Sequence, residues 1–244
     1  HGAAVSGILA ADDDGAGPEG VADKADLRLC ERGSDIASTA GFNTNTTCMD
    51  DFTSNSAVVV NQSWGLNTFN ADDLDEYINA LPGYSTTELF QFALLDYAED
   101  ADGSTDSWMD LCSGNIRAGC NLDSTMQTAI TNYITSLNNF QATGVIVQSN
   151  SNTTAETDAD IFAALPVFYS QLAEAWITAI NIEVDGASGS ESYTLTSAPC
   201  GQTKEYCLGA DGYQMAGVGH TSGYFNIGSG TSYAAPQISG AVAL

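Results

Sequence analysis

The sequence predicts an α/β protein in which helices cover a mainly parallel sheet. Residues 56–61 (Ser-Ala-Val-Val-Val-Asn), Gly144–Ser149 and Trp176–Val184 are apolar runs fit for strands buried on both faces, as parallel sheets require. Amphipathic helical patterns alternate with them, which is the signature of helices packed on a sheet. The 244 residues are 43% hydrophobic, enough for one substantial core and a second, smaller one.

In chain order, residues 3–11 carry apolar groups at helical spacing and end in the acidic turn Asp12-Asp13-Asp14-Gly15. Residues 26–31 read as a short strand, followed by the 56–61 run. Two acidic helices are expected near Asp72–Leu81 and Thr87–Tyr97, then an Asp- and Gly-rich loop over 98–122. Asp123–Phe140 is a strong helix pattern: Asp123 or Ser124 can cap it, and Met126, Ile130, Tyr133, Ile134 and Leu137 share a face. After the second and third buried strands, Gly186–Glu191 reads as a surface loop. Turn-rich strands follow, and the last helix starts near Ser232. No internal repeat is visible, and 1–244 reads as one domain with 85–122 as an insertion.

Five Lys and Arg against 31 Asp and Glu give a net charge of −26. Such a field repels phosphate backbones and anionic membrane surfaces, so neither nucleic acid nor membrane contact is expected of this segment. No apolar run approaches the roughly 20 residues of a membrane span. The chain begins at His1 rather than Met and ends within a helical pattern at Leu244, so both ends read as cut.

The six cysteines fall by position into Cys30 with Cys48, Cys112 with Cys120, and Cys200 with Cys207. Six cysteines allow 15 connectivities, and neighbour pairing is the simplest of them. An even count fits an oxidising compartment, such as the extracellular space or a cell surface. Zinc is the rival reading, but the sequence has no Cys-x-x-Cys and only two histidines, His1 and His220.

Chemistry concentrates in Gly228-Ser229-Gly230-Thr231-Ser232-Tyr233-Ala234-Ala235-Pro236. Glycines permit a tight turn, and small residues then open a helix with Ser232 at its start. There the dipole and free N–H groups favour an attacking oxygen and the oxyanion it creates. An ordinary Gly/Ser loop capped by Ser232 is the rival reading of this segment. Pro236 is expected at a first-turn position that donates no intrahelical bond. His1-Gly2-Ala3-Ala4-Val5 sets a histidine at another helix start, where a neutral imidazole could act as general base. By itself such a histidine is more often a surface residue.

Taken together, His-Gly-x-x-Val-x-Gly near the start and Gly-Thr-Ser-x-Ala-Ala-Pro-x-x-x-Gly near the end resemble the His and Ser motifs of the subtilases, the subtilisin-like serine proteases. Asn61-Gln62-Ser63-Trp64-Gly65 after a buried strand resembles their substrate-binding Ser-x-Gly segment, and Gly20-Val21-Ala22 their Gly-Val-Ala after the His helix. The stretches Ala163–Ala179 and Cys200–Leu208 are similar to an autotransporter-type branch. The resemblance implies a subtilisin-like three-layer sandwich, truncated at both ends, and a serine endopeptidase acting through an acyl-enzyme on peptide or protein substrates. It implies Ser232 as nucleophile, His1 as general base, and Ser63, Trp64, Gly65 and Thr231 as substrate-binding residues. An oxyanion asparagine is expected after the strand at Gly144–Val147. Asn152 aligns with it, Asn150 is a rival, and a serine stands where the family has glycine.

The family's catalytic Asp lies upstream of its His. Asp12, Asp13 and Asp14 follow His1 on the far side of a helix, some 16 Å away at about 1.5 Å per residue, too far to orient the imidazole. The fragment alone is therefore expected to be nearly inactive. No cofactor is expected. Calcium lacks a motif, because Ala10 and Ala98 occupy the first EF-hand ligand position of the two acidic loops, and Val21 and Met109 the last. The alternative to an enzyme is an inactive subtilase-fold binding or adhesion module. An esterase reading fails for want of Gly-x-Ser-x-Gly around Ser232.

Overall fold

The computed structural model describes residues 1–15, 17–32, 38–66, 69–100, 123–218 and 225–244. The chain runs α1 (Gly2–Ala10), α2 (Thr39–Ser54), β1 (Val59–Gln62), α3 (Ala71–Ala80), α4 (Thr86–Asp100), α5 (Ser124–Gln141), β2 (Val145–Ser149), β3 (Trp176–Asp185), β4 (Ser192–Leu195), β5 (Cys207–Asp211), β6 (Met215–Val218), β7 (Phe225–Gly228) and α6 (Thr231–Ala243). A one-turn helix at Leu165–Phe168 and 3₁₀ turns at Ser170–Ala175 and Gly201–Tyr206 join the later strands.

The central sheet follows the order β1-β2-β3, with all three strands parallel. One edge of β3 is taken by β2 over Trp176–Ala179 and by antiparallel β4 over Ile182–Asp185. Parallel β5 covers the other edge over Thr178–Ile182. A separate antiparallel hairpin joins β6 and β7.

Adjacent residues of β2 define the layers, because neighbouring side chains on a strand point to opposite faces. Ile146 enters the large core with Phe42 and Met49 of α2, Phe90 and Leu94 of α4, and Ile130 of α5. Val147 faces the other way and packs with Ala179 of β3 and Ala235 and Ile238 of α6. The sheet is thus sandwiched between helices, as an α/β three-layer fold requires. Phe90 and Phe162 meet edge to face at 5.6 Å in the main core, and Phe42 meets Tyr133 at 5.7 Å.

Local chemistry explains the helix starts. Asn70 and Asp73 form a reciprocal capping box on α3, and the Asp123 side chain accepts from the Thr125 amide to begin α5. The five apolar residues expected on one face of α5 are all buried.

Several expectations need correction. Residues 26–31 form no strand: Leu29 is 75% exposed, and the segment is held instead by Arg28 on Asp51 and by the Cys30–Cys48 disulfide. The 56–61 strand begins only at Val59 and is not buried on both faces, with Val58 58% exposed at the margin of the sheet. The loop expected from 98 starts later, since α4 continues to Asp100; residues 101–122, including Cys112 and Cys120, lie outside the described residues. Helix α2 forms over residues where the sequence pattern predicts no element.

Candidate active site

Ser232 occupies the second position of α6. Its N-cap, Gly230, has φ +136°, and a Cβ there would run into the Asn152 side chain, so only glycine lets the helix start so close to that residue. The Ser232 amide belongs to the first turn, where N–H groups have no intrahelical acceptor. The Ser232 hydroxyl donates to the Ser63 carbonyl at 3.3 Å.

Pro236 does not sit in the first turn. It is the sixth helical residue, so the N–H it lacks is the one that would have reached the Ser232 carbonyl four residues back. That carbonyl is satisfied across the cleft by the Ser63 hydroxyl, at 3.0 Å. Two opposed bonds therefore tie Ser63 to Ser232, and the proline makes room for one of them.

Asn150 and Asn152 diverge completely. Asn150 is buried and spent: its oxygen accepts from the Ser151 and Asp160 amides at 2.9 and 2.7 Å, and its Nδ2 donates to the Ala198 and Pro199 carbonyls. Asn152 is exposed beside the start of α6. Its Oδ1 accepts from the Thr231 amide at 2.8 Å and lies 3.2 Å from the Thr231 hydroxyl oxygen, which turns the donor end of the amide away from Thr231. Thr231 is wholly buried, and its hydroxyl also donates to the Asn150 carbonyl at 2.6 Å, so its side chain braces the loop rather than facing solvent.

His1 is exposed at the N-cap of α1, its ring edge-on to Tyr233 with centroids 6.2 Å apart. His1 and Ser63 line one cavity of about 790 Å³. The Trp64 carbonyl is held by Gln148 and by the Ser149 hydroxyl at 3.3 Å, while its ring meets Phe162 at 4.9 Å. Under Gly65 lies Asp160, and a Cβ on that glycine would come within 3.0 Å of the carboxylate. Asp160 is fully buried, and that burial pushes its carboxyl well above the usual range despite backbone donors such as the Phe162 amide.

The chain start, the Ser63–Gly65 segment, the 150–152 loop and α6 thus converge on one place. Sequence reading missed Gln148 and Asp160; a buried polar residue within an apolar run was the only signal.

The Subtilase family matches the chain over residues 1–244. This chain belongs to the subtilase family. Subtilases are serine peptidases, and the α/β sandwich described above is their fold. Among solved structures, Sphericase is similar with a TM-score of 0.52 at 17% identity, covering 97% of this chain and 60% of that one. The structure of the prenylagaramide maturation protease PagA is similar at a TM-score of 0.48 and 15% identity, again covering 97% and 60%. The subtilase chain spans about three-fifths of the length of either neighbour. Among curated proteins no relative matches. The pairings Cys30–Cys48 and Cys200–Cys207 are present as disulfides, with Cα atoms 5.8 and 5.9 Å apart.

Proposed function

We propose that this subtilase domain serves an extracellular or cell-surface serine endopeptidase working through an acyl-enzyme. The observation that carries the reading is the meeting of Ser232, Asn152 and the His1-bearing helix at the start of α6. Ser232 Oγ attacks the scissile carbonyl carbon while His1 takes its proton. The developing oxyanion is held by the Asn152 amide N–H and the Ser232 backbone N–H. Collapse of the tetrahedral intermediate expels the amine, which leaves with the proton from His1. Water then repeats the sequence to free the acid.

An extended peptide laid along Ser63–Gly65 would use the backbone of that segment. The carboxylate that orients His1 is expected upstream of it, since Asp12–Asp14 stand beyond the far end of α1. In subtilisin, loss of that group costs about 3 × 10⁴ in turnover, so residues 1–244 alone should hydrolyse peptides very slowly; brisk hydrolysis by the isolated piece would sink this point. Two disulfides support an oxidising location, and no described helix is long and apolar enough to cross a membrane. The stretches Ala163–Ala179 and Cys200–Leu208 support a place in an autotransporter-type branch.

Treating the intact protein with a fluorophosphonate and mapping the adduct tests the mechanism. Label on Ser232 that vanishes in Ser232→Ala is expected; unlabelled, folded protein would favour the inactive binding module. Asn152→Ala should lower kcat about 10²- to 10³-fold with KM little changed.

A further inference from the structure

The cavity that contains His1 and Ser63 runs between α1, residues 25–32, α2 and β1, and reaches Trp64. Its wall is unlike the rest of the molecule. The chain has five Lys and Arg against 31 acids, yet Arg28 and Arg32 both line this cavity beside His1, and Asp26 is the one carboxylate among the described lining residues.

The two arginines differ. Arg28 is committed to Asp51, with Nη2 2.7 Å from Oδ1. Arg32 is half-buried, its guanidinium carbon 5.3 Å from the centre of the Trp64 ring. None of the described carboxylates forms an ion pair with it, and burial pushes its guanidinium below the usual value. A guanidinium lying on an indole face keeps its N–H edge available, and that edge matches a carboxylate in two parallel bonds. Trp64 is also the middle residue of the segment along which the peptide is proposed to lie.

We propose that Arg32, seated on Trp64, is a specificity residue that receives the carboxylate of a Glu or Asp side chain in the peptide lying along Ser63–Gly65. The inference rests on the peptidase reading above and adds the substrate class: acidic peptides. The long-range field of a −26 molecule opposes their approach, but salt screens that field more than it weakens a half-buried contact pair. The selectivity therefore persists at physiological ionic strength.

The test uses the intact protein carrying Ser232→Ala, so that peptides bind without being cut. Fluorescence polarisation compares fluorescent peptides that differ only in Glu, Gln or Lys, placed in turn at each of the four positions before the scissile bond, at 0.15 M salt. At one position Glu is expected to bind about 10-fold tighter than Gln, with Lys weakest. Arg32→Gln should erase that order and Arg32→Glu should invert it, while the Gln peptide keeps its affinity. Absence of any Glu preference overturns the proposal even if no Arg32 variant folds. A preference that survives Arg32→Gln, or equal loss of all three peptides, also overturns it, the latter assigning Arg32 a structural role. A Glu preference in a protein whose native Ser232 takes no fluorophosphonate would leave the acidic site standing and remove the peptidase reading.

Discussion

At the scale of single residues, the site is organised by polar side chains that never reach solvent. Asn150 joins four segments: its own loop, Asp160, the Ala198–Pro199 turn and, through its carbonyl, Thr231. Asp160 contributes differently, as a buried acid whose carboxyl titrates well above its usual range. The folded state therefore holds the proton more tightly than the unfolded chain. Stability is undisturbed below the unfolded carboxylate value and falls as pH rises through the window up to the folded one. Asp160→Asn removes the ionisation but keeps an acceptor for the Phe162 amide. Its melting temperature should be close to that of the parent at pH 4 and higher than the parent's at pH 8. Parallel melting curves with a constant offset across that range would contradict the assignment.

Elements show how a site is held open. Helix α6 carries Pro236 where an N–H is wanted by Ser232, and the Ser63 hydroxyl supplies the missing donor from the end of β1. Ser63→Ala leaves that carbonyl without its donor and should cost about 1 kcal/mol in urea unfolding. In a Pro236→Ala background the helix can close its own bond, so the same change should cost measurably less; strict additivity in the double-mutant cycle would show that the two positions are independent. Helix α2 was illegible for a related reason. Its sequence, rich in Thr and Asn, has weak helix propensity, and Thr44, Thr46, Thr47 and Thr53 return hydroxyl bonds to carbonyls four residues back. The buried Phe42, Asn45, Cys48 and Met49 do recur at helical spacing, but a polar residue and a cysteine within that stripe dilute the apolar signal. By contrast, α3 and α5 announce themselves through a capping residue followed by a clean apolar face.

Across the whole molecule, the excess of 26 negative charges sets conditions for stability that no single contact reveals. Like charges spread over one compact body repel, and the unfolded chain relieves that repulsion. Melting temperature should therefore rise on going from 10 mM to 300 mM NaCl; a flat or falling response would mean that local ion pairs dominate. The Cys30–Cys48 bridge fastens the extended 25–32 segment, which forms no strand, to α2. Replacing both cysteines with serine should cost about 3 kcal/mol on the chain-entropy view of an 18-residue separation, read as a lower urea midpoint.

Short-range signals were enough for the sequence alone to determine the fold class, the capped helices, the buried strand β2 and the family motifs around His1, Ser63 and Ser232. Periodicity, caps and glycine turns act over a few residues, so they are readable without a partner. Only the tertiary structure decided which asparagine of Gln148-Ser149-Asn150-Ser151-Asn152 stands beside the serine. The two are chemically identical and two residues apart. The Ala198–Pro199 turn draws Asn150 inward, and Thr231, 79 residues from Asn152 in sequence, fixes Asn152 at the start of α6. The burial of Asp160 beneath Gly65 and the seat of Arg32 on Trp64 belong to the same class. Each is a property of what a distant segment brings to the contact, and no local pattern encodes it.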